Sequence, residues 1–199
     1  MSNKLFWLVH YYWDNGQPER AEELARMAGW VNSAAGLEIL GDQLDRMGRY
    51  DEAGDAYRRR HERYSKSGGP LGAFYLRHMR RTGDRSNELK ALELLREWFP
   101  NGLEPLSATQ PSGPPVDGVA FVNFGRRPER SGLRRTDIIV GLDGYRVRTT
   151  DQVYLVSRLD DDDLMRFVVW RDNAYVEVPA RVPQRRLGAT WRTYEVGKP

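Results

Sequence analysis

The chain has 199 residues, enough for two small domains. It is 40% hydrophobic and 11% aromatic, sufficient for packed cores, and it lacks any run of eighteen apolar residues, which excludes a membrane-spanning helix. Cysteine is absent, which excludes disulfides, thiolate nucleophiles and cysteine-based zinc sites, and 31 basic against 28 acidic residues make a mixed-sign surface. The opening MSNKLFWLVHYYWD has too short an apolar run for a secretory signal, so a cytoplasmic location is expected, or a periplasmic one if a signal was removed from a longer parent. Residues 1–99 are rich in helix formers, and their periodicity predicts six helices at roughly 3–14, 18–29, 34–47, 50–65, 71–82 and 86–98. Gly16, Gly48 and Gly83 recur at spacings of 32 and 35 residues, and Ala21 and Ala53 also stand 32 apart. Self-similarity with a period in the thirties is the signature of stacked helix–turn–helix units.

The middle unit carries the sharpest pattern. In LGDQLDRMGRYDEAGDAYRRR, the Leu40-Gly41 pair, turn Gly48, Tyr50, small Ala53 and aromatic Tyr57 resemble the tetratricopeptide repeat. Small residues there let paired helices approach closely. The first unit keeps Leu8, Tyr12, Gly16, Pro18, Ala21, Ala25 and Ala28, with Val9 at the Gly41 position. The third has Glu88 where the small residue is expected.

The pattern changes at Pro100. Residues 100–117 hold five prolines and read as a linker or irregular loop. Beyond it, GVAFVNF, DIIVGLD, LMRFVVW and AYVEVP read as strands, with tight turns at Asp143-Gly144 and Asp172-Asn173. Asp151 to Leu159 reads as a helix. Its Val153, Val156 and Leu159 face a core, and Thr150 and Tyr154 share another side. The order of these elements over 118–182, a small β-barrel or sandwich with one or two helices, resembles a PDZ domain in the arrangement of bacterial high-temperature-requirement proteases. One departure is Thr136, where that family has glycine. The PDZ region can be taken to begin as early as residue 102, and 183–199 reads as a tail, either a flexible end or a strap over the repeats.

The PDZ resemblance implies a groove that binds extended peptides by strand addition beside the helix. The candidate groove residues are Gly102, Leu103, Leu106, Thr150 and Tyr154. Gly102–Leu106 stands where a loop of backbone amides would hold a terminal carboxylate, but Pro105 has no N–H and Glu104 repels an anion. Partner contacts are expected from the aromatic N terminus (Phe6, Trp7, Tyr11, Trp13) and from the arginine-rich turn at Arg126, Arg127 and Arg130.

Other chemistries find no constellation. The three histidines lack zinc spacing, and no GxSxG elbow or phosphate-binding glycine loop occurs. The Asp160–Asp163 run lacks the alternation and glycine of a calcium loop. No metal or cofactor is expected. The arginine clusters are interrupted by acidic residues, which argues against nucleic-acid binding. Both resemblances imply a non-catalytic scaffold or adaptor for protein or peptide partners in an α + β, two-domain chain. The alternative is an accessory part of a larger enzyme or complex, with the groove occupied in the assembly.

Overall fold

Three glycines end helices. Gly16, Gly48 and Gly83 have φ of 70°, 74° and 77°, left-handed values that a side chain disfavours. After the first two, the N–H groups of Gln17 and Arg49 reach back to the carbonyls of Tyr12 and Leu44, both at 2.9 Å, and close the helix ends. The computed structural model describes residues 2–64, 68–99, 102–106, 113–123, 131–160, 162–185 and 188–197. Among them are seven α-helices and an antiparallel sheet of seven strands, an α + β fold. The chain divides into two units, 1–100 and 101–199.

The first unit holds α1 (Ser2–Asp14), α2 (Pro18–Trp30), α3 (Ala34–Arg46), α4 (Tyr50–Arg63), α5 (Gly68–Thr82) and α6 (Glu88–Arg96). Each helix packs on the next, and α1 also meets α3. Small residues set these approaches. Ala21, Ala25 and Ala53 are fully buried. A Cβ on Gly41 would lie 2.9 Å from the Tyr57 ring, so the two signature residues of the middle hairpin touch. Glu88 is not the buried small residue of the third hairpin. It opens α6 and pairs with Arg85 at 2.7 Å, while Ala91, three residues on, is fully buried. The helix start has slipped, which is why period alone misplaced that contact.

The second unit holds β1 (Glu104–Pro105), β2 (Asp117–Asn123), β3 (Ile138–Leu142), β4 (Tyr145–Arg146), α7 (Thr150–Val156), β5 (Leu164–Arg171), β6 (Ala174–Arg181), a 3-10 turn at Pro183–Arg185, and β7 (Thr190–Glu195). Every pairing is antiparallel: β1 with β4, β4 with β3, β3 with β2 and β5, β5 with β6, and β2 with β7. Both tight turns use left-handed backbone, at Asp143 and Gly144 (φ 46° and 83°) and at Asp172 and Asn173 (51° and 64°). Val119, Ile139, Leu142, Phe167 and Val169 are fully buried, and Val153, Val156 and Leu159 join them from the helical segment as the spacing predicts. Two expectations change. Part of the proline-rich stretch is strand β1, and the last residues contribute a sheet strand where a free tail or a strap over the helices was expected.

Candidate functional site

The site is the outer edge of β2. Its ladder with β7 runs Asp117↔Glu195, Gly118↔Tyr194, Val119↔Thr193, Ala120↔Arg192 and Phe121↔Trp191, then shifts register before Asn123↔Thr190. The N–H of Val196 donates to the carbonyl of Val116 at 3.0 Å, so the pairing extends past the start of β2. Phe121 and Trp191 stack with ring centroids 5.2 Å apart. β7 also runs beside α7. An extended segment therefore lies antiparallel along a sheet edge and next to a short helix, the geometry of strand-addition recognition.

Arg185 precedes β7 in the chain. Its guanidinium, 5% exposed, pairs with Asp143, bonds Asp162 at 3.0 Å and the Leu164 carbonyl at 2.8 Å, and its Nε donates to the Ser157 carbonyl at 2.7 Å. It ties the C-terminal end of α7, the β3–β4 turn and the start of β5 to one point. Asp162, from the acidic run, thus serves an ion pair.

Gly102–Leu106 lies against the first turn of α7 with its polar groups engaged internally. The Gly102 carbonyl accepts from Gln152 Nε2, Leu103 is buried, Glu104 and Pro105 pair with Arg146 and Tyr145, and the Leu106 N–H donates to Gly144 at 2.7 Å. Beside it, Arg148 bonds Glu104 at 2.9 Å and faces Asp117 at 3.4 Å. The buried Arg146 pairs with Asp117 and donates to the carbonyls of Val140 and Val147. Burial pulls the Arg146 pKa down, against the attraction of Asp117. Two guanidiniums meet two carboxylates here, a charge-balanced cluster.

Thr150 is half-buried at the start of α7. Tyr154 is 58% exposed, and the Arg158 guanidinium lies 3.7 Å from its ring centroid. Gln152 links Gly102 to α7, the helix that carries Thr150 and Tyr154. Opposite, Asp137 is buried and receives Arg171 through both carboxylate oxygens, at 2.8 and 2.6 Å. These hydrogen bonds, with burial opposing, raise the Arg171 pKa.

On the helical unit, Phe6, Trp7 and Tyr11 are about half exposed or more, Trp7 and Tyr11 stack at 5.3 Å, and Trp13 is half-buried. Met27, Trp30 and Val31 on and just beyond α2 are also exposed, a patch that periodicity did not single out. Two arginines of α5 turn inward. Asp45, 4% exposed, bonds Arg77 at 2.7 Å and Arg81 at 2.5 Å, and Arg77 also donates to the Tyr57 hydroxyl at 3.0 Å. Burial pushes the Tyr57 pKa well up, and the neighbouring Asp42 adds to it. Arg126, Arg127 and Arg130 lie outside the described residues.

No family model matches the chain, and no curated protein matches it in sequence. Among the described residues no group of acidic and histidine side chains is arranged to hold a metal ion, and no helix is long and apolar enough to cross a membrane.

The site element that sequence reasoning missed is β7. Its signal was compositional: Thr-Trp-Arg-Thr-Tyr-Glu holds four β-branched or aromatic residues in six. No tight turn joins it to its partner, so the hairpin rule that found the β5–β6 pair had nothing to act on.

Proposed function

We propose that the chain is a non-catalytic adaptor that recognises an extended segment of a protein partner by strand addition at β2, with the helical unit as a second recognition surface. The observation that carries this reading is the outer edge of β2 holding an extended antiparallel strand beside α7. In this reading the helical unit is a tetratricopeptide-like array, supported by the left-handed turn glycines and by Gly41 against Tyr57. In this reading the second unit is PDZ-like, supported by the order of its strands and helix and by β7 lying on β2 beside α7.

The mode of recognition is internal. In Gly102–Leu106 the Gly102 carbonyl and the Leu106 N–H are bonded within the unit, and the charges around Arg148 are balanced. Backbone hydrogen bonds then provide affinity, and alternate side chains provide selectivity. Two surfaces on one chain gain avidity when their ligands are linked.

The test is fluorescence anisotropy of the full chain carrying Trp191→Ala, which weakens the resident strand, against a peptide library with free and with amidated C termini. Micromolar binding that survives amidation is the expected result. Binding lost on amidation would replace internal recognition by carboxylate capture. No binding by any extended peptide would overturn strand addition.

A further inference from the structure

We infer that β7 is an exchangeable internal ligand: it covers the β2 edge until an extended partner segment of similar pattern, with an aromatic residue at the position of Trp191, displaces it. This rests on the strand-addition reading above and adds the ligand pattern and the gate.

Four observations carry it. First, β7 buries little. Every one of its residues is exposed or half-exposed, whereas β2 beneath it contains the buried Val119 and Phe121. Removing β7 takes few buried side chains from the core and opens the Phe121–Trp191 stack. Second, the ladder is interrupted, with a register shift between Phe121 and Asn123, and such an irregularity weakens a ladder locally. Third, the body of the unit is tied off upstream of β7. Arg185 is buried and bonded to three separate segments, so β7 can leave without disturbing the anchor. Fourth, the β2 edge without a cover would present unpaired N–H and C=O groups, which proteins avoid exposing. The edge is therefore served either by β7 or by a competing strand.

The ligand pattern follows from the register. Trp191 faces Phe121, Tyr194 faces Gly118, and Arg192 faces Ala120. A competitor needs a ring to stack on Phe121, and a bulky residue is tolerated opposite Gly118 because no side chain stands there. The tether keeps β7 at an effective concentration in the millimolar range, so a free segment binds the intact chain far more weakly than the uncovered edge.

The experiment uses the full chain and an acetylated, amidated peptide of residues 188–197. The chain has no cysteine, so Ala120→Cys with Arg192→Cys, or Asn123→Cys with Thr190→Cys, installs a single disulfide across the ladder. Oxidised protein is expected to lose peptide binding, and reduction to restore it. Trp191→Ala is expected to bind the peptide at least about tenfold tighter than the unaltered chain. Each redox comparison uses one folded protein in two states, so a folding defect in Trp191→Ala leaves the test intact. Failure of both cysteine pairs to oxidise would overturn the inference, because the strands would not be neighbours. Equal binding by oxidised and reduced protein would overturn the gate. If library peptides bind Trp191→Ala and the 188–197 peptide does not, the inference fails and strand addition stands. If no peptide binds either reduced or Trp191→Ala protein, strand addition itself fails.

Discussion

The sheet of the second unit contains two antiparallel ladders of different character. β5 and β6 pair over eight consecutive residues without a shift, across a two-residue turn. They carry the buried Met165, Phe167, Val169, Val178 and Ala180. β2 and β7 pair over six positions with a shift, are separated by more than sixty residues, and bury no residue of β7. The first ladder combines local closure with a hydrophobic face, while the second joins backbone bonds to the Phe121–Trp191 stack. Hydrogen bonds contribute about 1 kcal/mol each after competition with water, while a fully buried large side chain contributes about 1.5–3 kcal/mol. The first ladder therefore belongs to the core of the fold, and the second is suited to exchange.

The comparison breaks most clearly at Phe167, which is fully buried in β5. Phe167→Ala is expected to destabilise the second unit by about 4 kcal/mol in urea denaturation. A loss below about 1 kcal/mol would remove β5 from the core. Arg185→Ala comes next, at on the order of 3 kcal/mol, because it removes a buried guanidinium from Asp143 and from the carbonyls of Ser157 and Leu164. It also releases the end of α7, and native-state hydrogen exchange should show α7 amides losing protection together with those of β7.

Trp191→Ala is expected to be milder, about 1 kcal/mol from the lost stack. Its sharper readout is local. Amides shared by β2 and β7 should exchange faster while those of β5 and β6 keep their protection. A uniform loss of protection across the sheet would make β7 an integral strand. An effect no larger is expected at the β5–β6 turn, where Asn173 has φ of 64°. Asn173→Ala is expected to destabilise by about 1 kcal/mol and Asn173→Gly to leave stability nearly unchanged, both measured by thermal unfolding.

Much of the fold was legible locally. All six helices of the first unit start and stop within three residues of their predicted bounds, because glycines with left-handed backbone and buried alanines are short-range signals. The β5–β6 hairpin was legible for the same reason: Asp172-Asn173 announces its turn. Glu88 shows the limit. A period inferred from two hairpins placed a buried residue where the third begins its helix, and Ala91 took the role. The arginines show another. Arg77, Arg81, Arg146 and Arg185 stand in the sequence among exposed basic residues, and only long-range packing turned them inward onto Asp45, Asp117 and Asp143.

The candidate site divides along the same line. The strand at 117–123 and the helix that follows β4 were readable from residue types. What occupies the edge of β2 was not. The sequence by itself determined the helices, the turns, the strands joined by short loops, and the absence of cysteine chemistry, since each depends on residues near one another in the chain. Tertiary structure alone decided that Thr190–Glu195 lies on β2 and that Arg185 anchors the segment before it. Pairing between strands so far apart leaves no mark in local composition beyond β propensity, and the partner of an edge is chosen by which strand the folded body brings within reach.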